Sequence, residues 1–467
     1  MRFAEAFLEH ARTLLLVGCA ALLAGCGGST TTTSTTICKD PSVCVVDLAQ
    51  LAPQDLPTGP NTTEIVVDSG PLGNFVLGVT NVPYVTVTVC SPNMTTNDGC
   101  VTIDHVLLDT GSYGLRLLRS KLGTVGPLLP TVPIAANASN NTPAGDAAEC
   151  YPFVLGSVWG PLAKADVHIG GELAYAQTIQ LIDDGQAQSP PVPESPPLPD
   201  NCKNSAQGGL ANSVASLQAN GILGVGMVAI DCGVACLDNA YPGMSYVYYS
   251  CPAGGTSCMP AAVPLDMQVQ NPVVGFAVNN NGTMITMPAL PKLGAKVAKG
   301  RLVFGIGTQA NNAPATLGQY PIETDPAKPN YLYVTMGVAS QTYPYSYIDS
   351  GSNAMFFDFA DPALAGACNV STGGQQGGWY CPTATWSQPA TLTAANGVQG
   401  TLTLTVDSAD ALFSINGATA FANLAGTAGQ GASTFVLGMP FFYGKKVFTS
   451  IWHQQFSTQN GPWYAIE

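Results

Sequence analysis

"VLLDTGSYGLRLL", Val106 to Leu118, delivers a carboxylate, Asp109, from an apolar run straight into a Thr-Gly-Ser turn. A charge placed after three aliphatic residues costs free energy unless it is hydrogen-bonded or paired. The stretch is therefore either a polar turn that follows a strand or half of an acid–base site. A second copy bears on the choice: "SYIDSGSNAMFF", Ser346 to Phe357, carries Asp349, Ser350, Gly351 and Ser352, 240 residues after the first aspartate. Each copy is followed by an aliphatic pair and a glycine. "GILGVG" (Gly221–Gly226) places Ile222 113 residues after Asp109, and "FVLGMPFF" (Phe435–Phe442) places Val436 87 residues after Asp349. A bare D-[ST]-G arises by chance about 0.3 times in a chain of ordinary composition. Asp68-Ser69-Gly70 is such a decoy, since "PLGN" follows it and the next Val-Leu-Gly (Val76–Gly78) comes too soon to close a loop. Two complete sets in the same order are the specific signal.

A strand, Asp-Thr/Ser-Gly-Ser and a later aliphatic–aliphatic–Gly, twice over, resembles the pepsin-like aspartic peptidases. The resemblance implies an all-β fold, mostly β with short helices, in two pseudo-twofold related lobes, each threading one strand through a ψ-shaped loop. It assigns Asp109 and Asp349 as the catalytic pair. Thr110 and Ser350 would cross-link the two loops through their hydroxyls, and Ser112 and Ser352 would hydrogen-bond the outer carboxylate oxygens. Gly111 and Gly351 would let backbone come close, because no Cβ intervenes. "FVLGSVWGPLAKADVHIGG" (Phe153–Gly171) resembles the family's flap hairpin and the strand after it. "KGRLVFGIGT" (Lys299–Thr308) resembles the close of the first lobe, and "QYPIETDPAKPNYLYVTMGVA" (Gln319–Ala339) the opening strands of the second. The family's flap tyrosine and its tryptophan partner align with Phe153 and Arg116, so the flap is rebuilt. Tyr151 and Trp159 stand nearby as substitutes, which makes Tyr151, Phe153, Gly156 and Trp159 the flap and cleft candidates. The expected lobes are residues 61–308 and 309–467.

Two carboxyls a few ångströms apart do not both ionise cheaply, so one pKa falls, the other rises, and the pair holds one proton and a water. The ionised partner takes the proton of the attacking water while the protonated one donates to the peptide carbonyl oxygen. Such a pair titrates as a unit. The expected function is a lipid-anchored, extracytoplasmic aspartic endopeptidase acting on polypeptide. The alternative is a silent pepsin-like binding protein that recognises a protein or polysaccharide in its cleft. No cofactor and no metal are expected, and the chain is expected to be a monomer.

Composition narrows the partners. Charged residues are 9% of the 467, against a typical quarter, while Gly (51) and Pro (36) abound. The 29 acidic and 15 basic residues give −14, which argues against nucleic acid and anionic membrane surfaces. There is no G-x-S-x-G elbow and no H-E-x-x-H.

The amino end reads as an export signal. Arg2 and Arg12 precede "TLLLVGCAALLAG" (Thr13–Gly25), too short for a comfortable span, and "LAGC" (Leu23–Cys26) resembles a bacterial lipobox. The resemblance implies cleavage before Cys26, acylation of that cysteine and, with Gly27 next, an outer-membrane lipoprotein of the cell envelope. Residues 1–26 are then signal peptide and 27–60 a flexible tether that starts with "GGSTTTTSTT". Of 14 cysteines, Cys19 and Cys26 belong to the signal, and the even remainder suggests disulfides. Close neighbours are the plausible pairs: Cys38/Cys44, Cys90/Cys100, Cys251/Cys258 and Cys368/Cys381. The pairing of Cys150, Cys202, Cys232 and Cys236 stays open.

Alternation in "YVTVTV" (Tyr84–Val89), "ADVHIGG" (Ala165–Gly171) and "TLTLTV" (Thr401–Val406) predicts strands. "ANSVASLQA" (Ala211–Ala219) is the best short-helix candidate, and "SPPVPESPPLPD" (Ser189–Asp200) predicts a surface excursion pinned by Cys202. Tyr343, Tyr345 and Tyr347 are expected to share one strand face, and Arg116 and Arg119 are expected at the surface.

Overall fold

The structure is a computed structural model that describes residues 46–47 and 56–467, apart from 74–78, 95–98, 138–141, 155, 186–195, 204–208, 238–246, 317–319, 326–327, 365–367, 369–377, 429–432 and 458. The expected signal peptide, Cys26, most of the expected tether and the expected Cys38/Cys44 pair lie outside the described residues.

Runs of Val, Ile, Thr and Tyr with little helical periodicity build a mostly β protein. Helices among the described residues are short: Asp200–Lys203, Val214–Leu217 and Ala409–Phe413. Val214–Leu217 falls inside the expected segment and starts where Ser213 and Ser216 form a reciprocal capping box. The three alternating stretches lie in the strands Pro83–Cys90, Gly156–Ile169 and Gln399–Val406.

Two sheet systems divide the chain. The first takes most strands up to Phe304, and the second is built from residues between Glu323 and Leu437. Part of the first sheet is a platform ordered Tyr320–Pro321, Trp463–Ile466, Lys446–Ser450, Gly282–Thr286, Ala295–Phe304, Thr62–Val67. The strands at 446–450 and 463–466 thus leave the second half and pair with the first. One contiguous core, including Leu115, Ile285, Phe304, Phe357 and Leu437, continues from one sheet system into the other. Among the described residues no helix is long and apolar enough to cross a membrane.

Disulfides join Cys90–Cys100, Cys251–Cys258 and Cys368–Cys381, as neighbour spacing suggested, and the open four resolve as Cys150–Cys202 and Cys232–Cys236. Cys150–Cys202 ties the end of the Pro-rich excursion to the hairpin strand Gly145–Phe153.

Three expectations are corrected. Tyr343, Tyr345 and Tyr347 do not share a face. The pairing of Gln341–Ile348 with Lys328–Val338 slips between Val334↔Ser346 and Met336↔Tyr343, a bulge around Pro344, whose ring nitrogen has no ladder donor. Tyr343 is consequently buried against Phe435, whereas Tyr345 is exposed beside Tyr333. Arg116 is fully buried and Arg119 nearly so, not at the surface. Trp159 lies in a core cluster with Cys150, Cys202 and Tyr249, its indole edge-on to Tyr249 at 5.4 Å, away from the cleft.

Candidate functional site

Each D-x-G-S turn closes one ψ-shaped loop. The strand Gly221–Val225 runs parallel to Cys100–Asp109 (Leu223↔Leu108, Gly224↔Asp109) and antiparallel to Tyr113–Leu118 (Gly224↔Gly114). Phe435–Leu437 does the same between Gln341–Ile348 and Met355–Phe357 (Ile348↔Leu437, Phe356↔Val436). The glycine in each aliphatic–aliphatic–Gly element is required by contact. A Cβ on Gly224 would sit 2.4 Å from the Tyr113 nitrogen, and one on Gly438 2.0 Å from the Ala354 carbonyl oxygen.

The two loops then grip each other. The Ser350 N–H donates to Thr110 Oγ1 (2.9 Å) and the Thr110 N–H to Ser350 Oγ (3.1 Å). Each hydroxyl passes its own proton across: Ser350 Oγ to the Leu108 carbonyl (2.8 Å), Thr110 Oγ1 to that of Ile348 (3.3 Å). All four groups are buried and every donor is satisfied, which is what a polar contact needs in the interior.

This grip brings the carboxyls of Asp109 and Asp349 to the same glycine: a Cβ on Gly351 would meet Asp109 Oδ1 and, at 3.2 Å, Asp349 Oδ1. Their surroundings match. Ser112 Oγ donates to Asp109 Oδ2 (2.5 Å) and Ser352 Oγ to Asp349 Oδ2 (2.7 Å). The Gly111 and Gly351 N–H groups each donate to the Oδ1 of their own aspartate at 2.8 Å. A Cβ on Gly111 would lie 2.7 Å from the Asp349 carboxyl carbon, and one on Gly351 2.6 Å from Asp109 Oδ1. Burial, followed by the charge and hydrogen bond of Asp349, pushes the Asp109 carboxyl well above its ordinary range, against the opposing pull of Ser112 and Gly111. A carboxyl raised in this way keeps its proton to a higher pH than an isolated one, as a proton-sharing pair requires.

The pair opens into a cleft with mainly apolar walls. Val82, Leu107 and Ile222 flank Asp109, Tyr347, Phe356 and Val436 flank Asp349, and Phe153 and Val154 approach from the hairpin. Ser216, Leu217 and Gln218, from the capped helical turn, form a wall that sequence reasoning did not assign to the site. Of the flap candidates, Phe153 lines the cleft. Gly156 is buried, its backbone so close to the Gly209 carbonyl that a Cβ would stand 2.8 Å from that oxygen. Tyr151 covers the Arg116 guanidinium, 3.8 Å from carbon to ring centre.

Arg116 was the larger omission. Its Nε and Nη2 clasp the Glu149 carboxylate at 3.1 and 2.7 Å, Nη2 also reaches Asp231 Oδ2 at 2.8 Å, and Nη1 donates to the Tyr113 carbonyl at 2.6 Å. The Tyr248 hydroxyl donates to Asp231 Oδ1 at 2.6 Å. Burial and then the Glu149 charge raise the Asp231 carboxyl well above its ordinary range, against the opposing pull of Arg116 and Tyr248. The decoy Asp68 sits outside the site, where hydrogen bonds from His105 and the Gly70 N–H overcome burial and lower its pKa. Cys368, Cys381 and Asp410 are close enough to suggest a metal set, but the two sulfurs are joined to each other and are not free ligands.

The crystal structure of an aspartic proteinase from Irpex lacteus is similar at 14% identity and a TM-score of 0.40, with 83% of this chain and 93% of that one covered. No curated protein matches the sequence. Residues 57–466, nearly the whole described chain, match the family described as protein of unknown function (DUF3443), and the chain is a member of that family.

Proposed function

We propose that the protein is an aspartic endopeptidase, anchored to the outer membrane by a lipid on Cys26, that hydrolyses peptide bonds through Asp109, Asp349 and a water held between them. The observation that carries the reading is the matched environment of two neighbouring carboxyls that line one mainly apolar cleft. The proton belongs to the pair, which titrates as a unit, so the acid and base roles are shared between the two carboxyls. One carboxylate removes a proton from water as it attacks the carbonyl carbon, and the partner's proton goes to the carbonyl oxygen. The tetrahedral intermediate then collapses as the amine leaves with a proton from the pair. Ser112 and Ser352 each hold the Oδ2 of their own aspartate, so the geometry is set before substrate arrives.

The deciding experiment is a peptide-library digest from acidic to neutral pH with the wild type, Asp109→Asn and Asp349→Asn. Cleavage by the wild type and none by either variant supports the reading. No cleavage by any, together with no affinity for a peptide mimic carrying a tetrahedral hydroxyl, replaces it with the silent binding protein. Anchoring is tested separately: Cys26→Ser should shift the protein out of the membrane fraction or block its processing.

A further inference from the structure

We propose that Arg116 is a positioning residue: clasped by Glu149 and Asp231 and covered by the Tyr151 ring, its guanidinium holds the hairpin tip Phe153–Val154 over the two carboxyls. The kinetic part of this proposal rests on the peptidase reading; the structural part does not.

The argument starts from strand periodicity. In Gly145–Phe153, side chains two residues apart share a face, so Glu149, Tyr151 and Phe153 form one row. The first of the row is ion-paired to Arg116, and the ring of the second has the same guanidinium over it, 3.8 Å from carbon to ring centre. The third packs 5.1 Å from Tyr151, ring centre to ring centre, and lines the cleft beside Asp109 and Asp349. At its other end Arg116 is tied to the site itself. It lies in the strand that leaves the Asp109 turn, and Nη1 holds the carbonyl of Tyr113, the residue after Ser112. One side chain thus indexes the hairpin to the turn that carries a reacting carboxyl.

The chemistry of the contact suits a fixed support better than ordinary packing. Arg116 has no exposed surface and neither do its carboxylate partners. Fully desolvated ion clusters gain little over apolar packing of the same volume, but a bidentate guanidinium specifies direction as apolar contacts do not. Asp231 anchors the cluster from a third element, braced by Tyr248, whose hydroxyl also accepts the Val269 N–H at 2.8 Å. Glu149 is braced through its backbone, where Gln180 Nε2 donates to its carbonyl at 2.8 Å.

The test uses the full-length protein with Tyr151→Leu, Tyr151→Phe and Arg116→Lys, read by amide hydrogen exchange and by KM and kcat on a cleaved peptide. Tyr151→Leu removes the ring and leaves the ion cluster intact. It should speed exchange in the hairpin from Cys150 to Val158 and raise KM, each roughly ten-fold for a desolvated cation–π contact, with kcat within about two-fold. Tyr151→Phe keeps a π face and should restore both. Arg116→Lys should loosen the same hairpin, because an ammonium cannot hold Glu149 bidentately while reaching Tyr113. If Arg116→Lys fails to fold, the Tyr151 pair decides. Hairpin exchange unchanged in Tyr151→Leu, or faster throughout the molecule instead of in the hairpin, overturns the proposal. A wild type that cleaves nothing overturns the peptidase reading, and the exchange comparison still decides the role of Arg116.

Discussion

Thr110 and Ser350 each hold the other's backbone, N–H to hydroxyl in both directions, at 3.1 and 2.9 Å. The contact joins two loops 240 residues apart and fixes the distance between the carboxyls beside them. Thr110→Val removes the acceptor of the buried Ser350 N–H. It should lower stability by about 1–3 kcal/mol, the cost of one unsatisfied buried donor. Ser350→Ala should cost a similar amount, and the double variant less than the sum, because the two share one network. Urea unfolding midpoints check both statements.

Stability should fall as the pH rises. Asp109 has a folded pKa well above its ordinary value of 3.8, so the folded state binds a proton that the unfolded state has released. The favourable term is fully present below the unfolded value and is lost as pH climbs through the folded one. Asp231 acts in the same direction. Unfolding midpoints of the wild type should therefore drop between about pH 4 and the folded pKa, and Asp109→Asn should flatten part of that slope. A slope of opposite sign, unaltered in Asp109→Asn, would contradict the assignment.

Gly351→Ala is a minimal way to part the carboxyls. The added methyl would stand 2.6 Å from Asp109 Oδ1, closer than any real Cβ contact. Activity should fall at least about a hundred-fold, since misplacement by an ångström costs that much, while the fold survives. Steady-state kinetics and circular dichroism on the same sample separate the two effects.

Asn81 should prove a costly residue to change. Its side chain donates to the Asn353 and Phe421 carbonyls at 3.0 and 2.9 Å and accepts from the Phe421 N–H at 2.7 Å and the Tyr443 hydroxyl at 3.0 Å. Its φ of 54° also suits Asn better than most residues. Asn81→Ala should cost about 2–4 kcal/mol, and Asn81→Gly, which relieves the backbone alone, should not rescue it. Thermal unfolding of the two variants decides.

How much was legible depended on how local the physics was. The two aspartate turns could be read because their hydrogen bonds are short-range: Ser112 and Gly111 lie within three residues of Asp109. The capped helical turn at Ser213–Ser216 was visible for the same reason, although its place in the cleft wall was not. Arg116 looked like a surface residue because its partners lie 33 and 115 residues away, and nothing in "YGLRLL" announces them. Cys150 and Cys202, 52 residues apart, were unreadable where Cys90 and Cys100 were plain. The tyrosine row was misread although Pro344 stood inside it, a residue that interrupts a ladder by lacking its donor.

The platform has a consequence in time. Gly282–Thr286 pairs with Lys446–Ser450, and Gly282 meets Ser450 across 168 residues of chain. A polypeptide appears amino end first, so an inner strand of the platform waits for a neighbour made much later. Pairings this distant close slowly, because the intervening chain loses its freedom before any contact repays it. Asp349 likewise arrives long after Asp109. Any chemistry that needs both carboxyls therefore stays switched off until the second half of the chain has been made and has paired with the first.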